Sequence, residues 1–480
     1  MSVSTRRPTL RWALPASVPG AHVQICTDRA CTSIVYEADA TGSSHTVASN
    51  LPAGPVFWRL FGVNGIRGTI ASPTWQFTVP ARSAPIMSAW SGTPDFNGDG
   101  HPDVVLCQGA DVEIRNGSAT GIPDTATSTI PAGCGYGVQG ASSVDVDGDG
   151  FTDLVLSLGG ALRIYTGSAS GLSTLYFAGP TIGITAYAAL GDVNGDGYGD
   201  VGWIAFHDPP GGAEGSSIDV YTGSPTGLSS TPLAIRLNPT SIAFFGVDGT
   251  RTVSEVGDLN ADGFSDFAVG QPDYGGGRAY LYYGSATVPS ATPVILDNTR
   301  NNGFGAHIRG GGDVNGDGYD DLVVGSRAGG GTGASVDLGA FVYYGSASGI
   351  PTTPSISLLN NDNNGWYGTA FASGIDITGD GYSDLAVMDW GYSDDHLYVF
   401  VGGAAGFSTT PTQIVTMTGP YHPVVAGIGD TNGDNFADIA IGTRSPASLQ
   451  IYRGAGASGI VTTPTTDTAT VAPPDWITGL

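Results

Sequence analysis

One nonapeptide returns seven times in this chain, and its recurrence restricts the possible folds more than any other feature. It reads DFNGDGHPD from Asp95, DVDGDGFTD from Asp145, DVNGDGYGD from Asp192, DLNADGFSD from Asp258, DVNGDGYDD from Asp313, DITGDGYSD from Asp376 and DTNGDNFAD from Asp430. The copies start 47 to 66 residues apart, so the unit is about 50 residues with insertions. Each copy runs into a short apolar segment such as VVL, LVL or IAIG, which suits a strand buried on both faces. An alternating segment follows and ends in a small-residue turn, as in ALRIYTGSASGL, and then a third, as in TPLAIRL or TPSISLL. Small residues before the loops, as in AALGD and GIGD, supply the first strand of the next unit. Four antiparallel strands repeated seven times give about 28, too many for one twisted open sheet. Radial packing resolves this, and the predicted fold is an all-β, seven-bladed β-propeller.

The nonapeptide has the chemistry of a hard-cation loop. Oxygens come from the side chains at positions 1, 3, 5 and 9 and from the main-chain carbonyl at position 7, a donor set that suits Ca²⁺. The ligands are Asp95, Asn97, Asp99, His101 and Asp103 in the first loop, Asp145, Asp147, Asp149, Phe151 and Asp153 in the second, and Asp192, Asn194, Asp196, Tyr198 and Asp200 in the third. The fourth offers Asp258, Asn260, Asp262, Phe264 and Asp266, and the fifth Asp313, Asn315, Asp317, Tyr319 and Asp321. The sixth offers Asp376, Thr378, Asp380, Tyr382 and Asp384, and the seventh Asp430, Asn432, Asp434, Phe436 and Asp438. Glycine at position 6 permits the bend, and Asn435 replaces it in the seventh loop. An EF-hand would need Glu at position 12, where Leu106, Leu156, Trp203, Val269, Val324, Val387 and Ile441 stand. About seven structural Ca²⁺ are therefore expected, each at the turn between the first two strands of a blade. The alternative is a set of Asx-rich turns without metal.

Composition agrees. Of 43 acidic residues 39 are Asp, and the 17 basic residues are all Arg. The net charge of −26 opposes attraction to nucleic acid or anionic lipid, and seven divalent ions would bring it to about −12. No apolar stretch reaches the roughly 20 residues that span a bilayer, so no membrane insertion is expected, and MSVSTRRPTLRWALP lacks the apolar block of a secretory signal.

The segment GFGAHIRGGGDVNGDGYDDLVVGSRAGGG, Gly303 to Gly331, resembles the FG-GAP repeat of the integrin alpha-subunit propeller. Phe304-Gly305 stands at the FG position and Gly325-Ser326-Arg327 where that family has Gly-Ala-Pro, and Gly270-Gln271-Pro272 is nearer to the second element. Tyr136-Gly137 and Tyr367-Gly368 replace FG in units two and six, and Tyr367 is therefore expected in the core. The resemblance covers about residues 82–480. It implies an extracellular setting and ligand binding on the rim away from the calcium loops.

Residues 7–80 lack the repeat and show short alternating strands, LRWAL, HVQICTD, SIVYEAD, HTVASNL, VFWRLFGVNG and TWQFTV, a small β-sandwich pattern. The run from Leu51 resembles the second half of a fibronectin type III domain, with Trp58 inside and Trp12 as its core partner. The division is thus 1–81 for the sandwich and 82–480 for the propeller. Four cysteines allow three pairings. The simplest joins Cys26 to Cys31 across a TDRA turn and Cys107 to Cys134.

No nucleophile elbow, P-loop or HExxH motif is present, and no catalytic residue is assigned. The long loops opposite the calcium rim carry Phe244, Phe245, Tyr274, Trp366, Trp390, Tyr392 and Tyr421, flat side chains suited to sugar rings or to anchoring a protein. The alternative is that they cover the rim or pack between blades. The reading is a secreted or cell-surface adhesion or recognition module for a glycan or surface protein. The alternatives are a polysaccharide-cleaving enzyme using His207 or His396, and a passive spacer.

Overall fold

In a computed structural model the described residues are 8–79, 94–131, 141–207, 215–237, 253–297, 303–326, 338–360, 367–389, 395–417, 424–467 and 477–478, apart from single residues and pairs inside those spans. Among them every regular element is a strand except a single-turn 3₁₀ helix at Gly456–Ser458. No helix is long and apolar enough to cross a membrane.

Among the described residues, seven four-stranded antiparallel sheets lie between Val104 and Thr478. The third shows the plan. Its strands are Ile184–Gly191, Asp200–His207, Gly215–Tyr221 and Ala234–Leu237, each paired with its neighbour in chain order. The nonapeptide joins the first to the second, as the repeat predicts. A register shift precedes most of the loops, at Ala189/Gly191, Glu255/Gly257, Gly310/Gly312, Ser373/Ile375 and Gly427/Gly429. Gly191, with φ of 70°, occupies this bulge in a conformation that a side chain disfavours, which explains the glycine before the aspartate.

The sheets pack face to face in sequence order, each adjacent pair burying its own apolar cluster. Val155, Leu162 and Ile164 of the second meet Val201, Trp203 and Tyr221 of the third, with Trp203 stacked on Tyr221 at 3.8 Å. The sixth and seventh bury Met388, Leu397 and Val399 against Ile439 and Ile441. A further cluster joins Val104 and Leu106 of the first to Ala426, Ile428, Ala440 and Leu449 of the seventh, so the succession returns on itself in a propeller-like ring.

The seam is made by the C-terminus. The first sheet has the order Ser128–Pro131, Asp111–Arg115, Val104–Gln108, Ile477–Thr478, so its innermost strand comes from the end of the chain. The seventh has its own fourth strand, Thr465–Asp467. Pairing the last strand with the first sheet ties both ends of the ring across an interface that is small and partly alanine.

Glycines explain the FG and GAP positions. A Cβ on Gly270 would lie 2.0 Å from the carbonyl oxygen of Gly305, and one on Gly325 2.3 Å from that of Gly368. The glycine of one unit's second element thus receives the FG glycine of the next at backbone contact. Phe304 and Tyr367 are buried beside them, Tyr367 as expected for a residue in the FG place.

The N-terminal unit is two sheets enclosing one core. Thr9–Arg11 pairs with Ser44–Thr46, and a five-stranded sheet runs Ile34–Thr41, Gly20–Cys26, Gly54–Asn64, Ile66–Ala71, with Trp75–Val79 also on Gly54–Asn64. Leu10, Trp12, Val47 and Leu51 pack on Val23, Ile25, Val56, Leu60 and Phe77. Trp58 shares that side but is half-buried, its ring 4.9 Å from that of Trp75. The strand Ile66–Ala71 was not anticipated, because its residues are exposed and carry no burial pattern. Cys26 and Cys31 form the predicted disulfide. Cys134 lies outside the described residues, and so does its proposed pairing with Cys107.

Candidate metal loops

The third loop shows how the sequence folds locally. The Asp192 carboxylate turns back on the chain: Oδ1 accepts the N–H groups of Gly195 at 2.6 Å and Asp196 at 3.0 Å, and Oδ2 accepts that of Gly197 at 2.7 Å. Asn194 donates its amide to Asp196 Oδ2 at 3.0 Å, and Asp196 Oδ1 accepts the Tyr198 N–H at 3.0 Å. Only short side chains close such bends, which accounts for the excess of Asp over Glu. Asp95, Asp145, Asp258, Asp313, Asp376 and Asp430 make the same contact to position 6 or to the positions just before it. In the sixth loop Thr378 Oγ1 reaches Asp376 at 3.4 Å.

Position nine does something the sequence did not disclose. Both oxygens of Asp200 accept backbone N–H groups, Oδ2 from Val193 at 3.0 Å and Oδ1 from Gly223 at 3.1 Å, the second across the next hairpin. Asp103, Asp153, Asp266, Asp321, Asp384 and Asp438 repeat the pair of bonds. This carboxylate staples the loop to its own sheet, and a metal contact there would use a remaining lone pair.

The loops also contact one another. The N–H at position 8 donates to the position 1 carbonyl of the preceding loop at Gly199 to Asp145 (2.7 Å), Ser265 to Asp192 (2.9 Å), Ser383 to Asp313 (3.0 Å) and Ala437 to Asp376 (2.8 Å). Asp320, buried at position 8 of the fifth loop, also accepts the Asp258 N–H through Oδ2 at 2.9 Å. Where the seventh loop meets the first, position 8 is Pro102, which has no N–H. The position 7 ring lies on the position 4 glycine of the preceding loop, so that a Cβ on Gly195 would be 2.5 Å from Phe264 and one on Gly316 2.5 Å from Tyr382. His101 takes that place at the seam, against Gly433.

The electrostatics favour a cation. Burial, followed by the neighbouring carboxylates, pushes Asp103, Asp153 and Asp200 well above the usual carboxylate range. Burial is also the main cause that raises Asp95 to about 6, Asp258 to about 7 and Asp321 and Asp384 to about 8. Asp145, Asp147 and Asp149 present carboxylate oxygens within 4.8 Å of one another, so this cluster can hold a metal ion. In the other loops position 3 is Asn or Thr, whose neutral oxygen fits the same hard-cation chemistry.

A family model described as FG-GAP-like repeat matches residues 95–156 and 258–324. This chain carries FG-GAP-like repeats. Among curated relatives, human integrin alpha-6 is 34% identical over 138 residues, which is 27% of this chain and 11% of that protein. Xenopus laevis integrin alpha-5 is 27% identical over 227 residues, 42% of this chain and 21% of that protein. The chain thus spans about a fifth or less of these relatives. Among solved structures, a Lactobacillus plantarum protein aligns with a TM-score of 0.46 at 13% identity, covering 78% of this chain and 98% of that one. The exotype rhamnogalacturonan lyase YesX aligns with a TM-score of 0.37 at 11% identity, covering 96% and 91%.

The aromatic residues expected on the opposite rim, Phe244, Phe245, Tyr274, Trp366, Trp390, Tyr392 and Tyr421, all lie outside the described residues, as does the side chain of His207. His396 is half-buried on the sixth sheet, opposite Asp389 in register and with its ring 6.0 Å from that of Tyr398.

Proposed function

We propose that this chain is a calcium-stabilised, seven-bladed FG-GAP propeller, residues 82–480, behind a fibronectin type III-like sandwich, residues 1–81, and that it recognises a glycan or surface protein outside the cell. The observation that carries the reading is the loop itself. Seven copies bring three or four Asp, with an Asn or Thr in six of them, onto one tight turn, and burial there opposes the negative charge unless a cation enters. The seven sheets are the blades, and calcium at each loop holds the turn between the first two strands. Ligand recognition is assigned to the opposite rim, to which the sequence pattern assigns the long aromatic loops, and the similarity to integrin alpha subunits supports such a role. Fold alone does not transmit it.

The test is equilibrium dialysis with metal analysis, followed by a glycan and surface-protein array in calcium and in chelator. Close to seven Ca²⁺ per chain with ligand retention supports the reading. Absence of bound calcium at millimolar concentration rejects it.

A second reading, polysaccharide cleavage, draws on His396 facing Asp389 on a rim-directed strand end. Bond cleavage that disappears in H396A would replace recognition with catalysis.

A further inference from the structure

The loop closed by the Cys26–Cys31 disulfide does not project into solvent. Arg29 at its tip donates from one guanidinium nitrogen to the carbonyl of Gly148 at 3.1 Å and from another to that of Gly197 at 2.6 Å, while its Cζ lies 4.1 Å from the Tyr198 ring centroid. Gly148 is position 4 of the second acidic loop, and Gly197 and Tyr198 are positions 6 and 7 of the third. One side chain of the N-terminal unit therefore bridges two successive loops of the ring. Only the planar fork of arginine offers two parallel donors and a face for stacking at once.

The loop is built to present that side chain. Asp28 accepts the N–H groups of Thr32 and Ser33 at 3.0 and 2.7 Å, and the Cys31 N–H closes onto the Asp28 carbonyl at 2.9 Å. The acidic rim is shaped to receive it. A Cβ on Gly148 would lie 2.5 Å from an Arg29 nitrogen, and one on Gly197 2.5 Å from the other and 2.4 Å from the Thr74 carbonyl oxygen. At the matching position 6 of the fourth and sixth loops, Gly263 and Gly381, a Cβ would meet nothing within 4 Å. At position 6 the third loop is thus covered by the N-terminal unit where the fourth and sixth are open, and the second loop receives the same side chain at position 4.

We propose that the Cys26–Cys31 loop is a docking finger that fastens the N-terminal unit to the second and third acidic loops, and that it holds only while those two loops keep their closed form. The second half of this rests on the calcium reading above; the first does not. The N-terminal unit then acts as a fixed cap on the loop-bearing rim, leaving the opposite rim as the free face. Chelation would open the two loops and release the cap.

Hydrogen exchange by mass spectrometry and small-angle scattering on the full chain test this, with R29A, R29Q and R29K beside wild type, in calcium and in chelator. In calcium, R29A and R29Q are expected to speed exchange about tenfold or more in residues 145–153 and 192–200 while 313–321 is unchanged, and to enlarge the radius of gyration. R29K should fall between, since it keeps charge but not the fork. Scattering and exchange identical to wild type in both R29A and R29Q overturn the docking role. So does a rise of equal size in all seven loops, because that is loss of the ring and not of a local contact. Chelation that speeds exchange in every loop of wild type without enlarging it overturns the conditional hold. Chelation that changes no loop rejects the calcium reading, and the R29A comparison in calcium still decides the docking.

Discussion

Removing calcium should invert the response of this protein to pH. In the metal-free chain burial raises Asp95 from 3.8 to about 6 and Asp258 to about 7. Both are buried. Between the unfolded value near 4 and these folded values the native state binds more protons than the unfolded state, so stability falls as pH rises through that window. At about 1.4 kcal/mol per pH unit the two groups together contribute a loss of up to roughly 7 kcal/mol from pH 4 to pH 8, about 4 kcal/mol of it between pH 5 and pH 8, an upper bound because neighbouring carboxylates titrate together. With an unfolding entropy of about 2 cal/mol/K per residue over roughly 400 residues, that is a fall of about 5 to 10 °C in melting temperature. Bound calcium reverses the sign, because it holds the carboxylates as anions and protons must displace it as pH drops. Scanning calorimetry at pH 5 and pH 8, in chelator and in millimolar calcium, reads both. A metal-free protein that melts higher at pH 8 than at pH 5 would refute the reasoning.

Four further outcomes follow from the same contacts. D266A orphans the buried N–H groups of Leu259 and Gly284 and should cost about 2 to 6 kcal/mol, whereas D266N, with one acceptor left, should cost about half, as measured by denaturant unfolding. G270A places a methyl at 2.0 Å from the Gly305 carbonyl and should destabilise by about 2 kcal/mol or more, while A261G should stabilise by about 0.5 to 1 kcal/mol because Ala261 holds a φ of 54°. Calcium at ten times its dissociation constant should add about 1.4 kcal/mol per occupied loop, seen as a concentration-dependent melting temperature. Deleting the last four residues removes the Ile477–Thr478 strand from the first sheet and should speed exchange in Val104–Gln108 more than in Asp200–His207.

Much of the architecture was legible because the repeat is local. Each loop bends through hydrogen bonds inside nine residues, as from Asp192 to Gly195 and Gly197, so the residue types alone announce the turn. Among the described residues the strand order follows the chain in the second to seventh four-stranded sheets, and Trp12 and Tyr367 are buried as their patterns indicate. The strand Ile66–Ala71 escaped because an exposed edge strand has no apolar alternation to reveal it.

The sequence by itself determined a repeated four-strand unit and a hard-oxygen bend, since both are written in contiguous residues whose spacing carries the geometry. Tertiary structure alone decided the rest. Position nine serves the next hairpin as well as its own loop, Ile477–Thr478 completes the first sheet, and Arg29 spans Gly148 and Gly197. These contacts join residues 23 to 373 positions apart, and no local propensity encodes them. They arise only when the packing of seven sheets brings distant backbone groups within hydrogen-bonding reach.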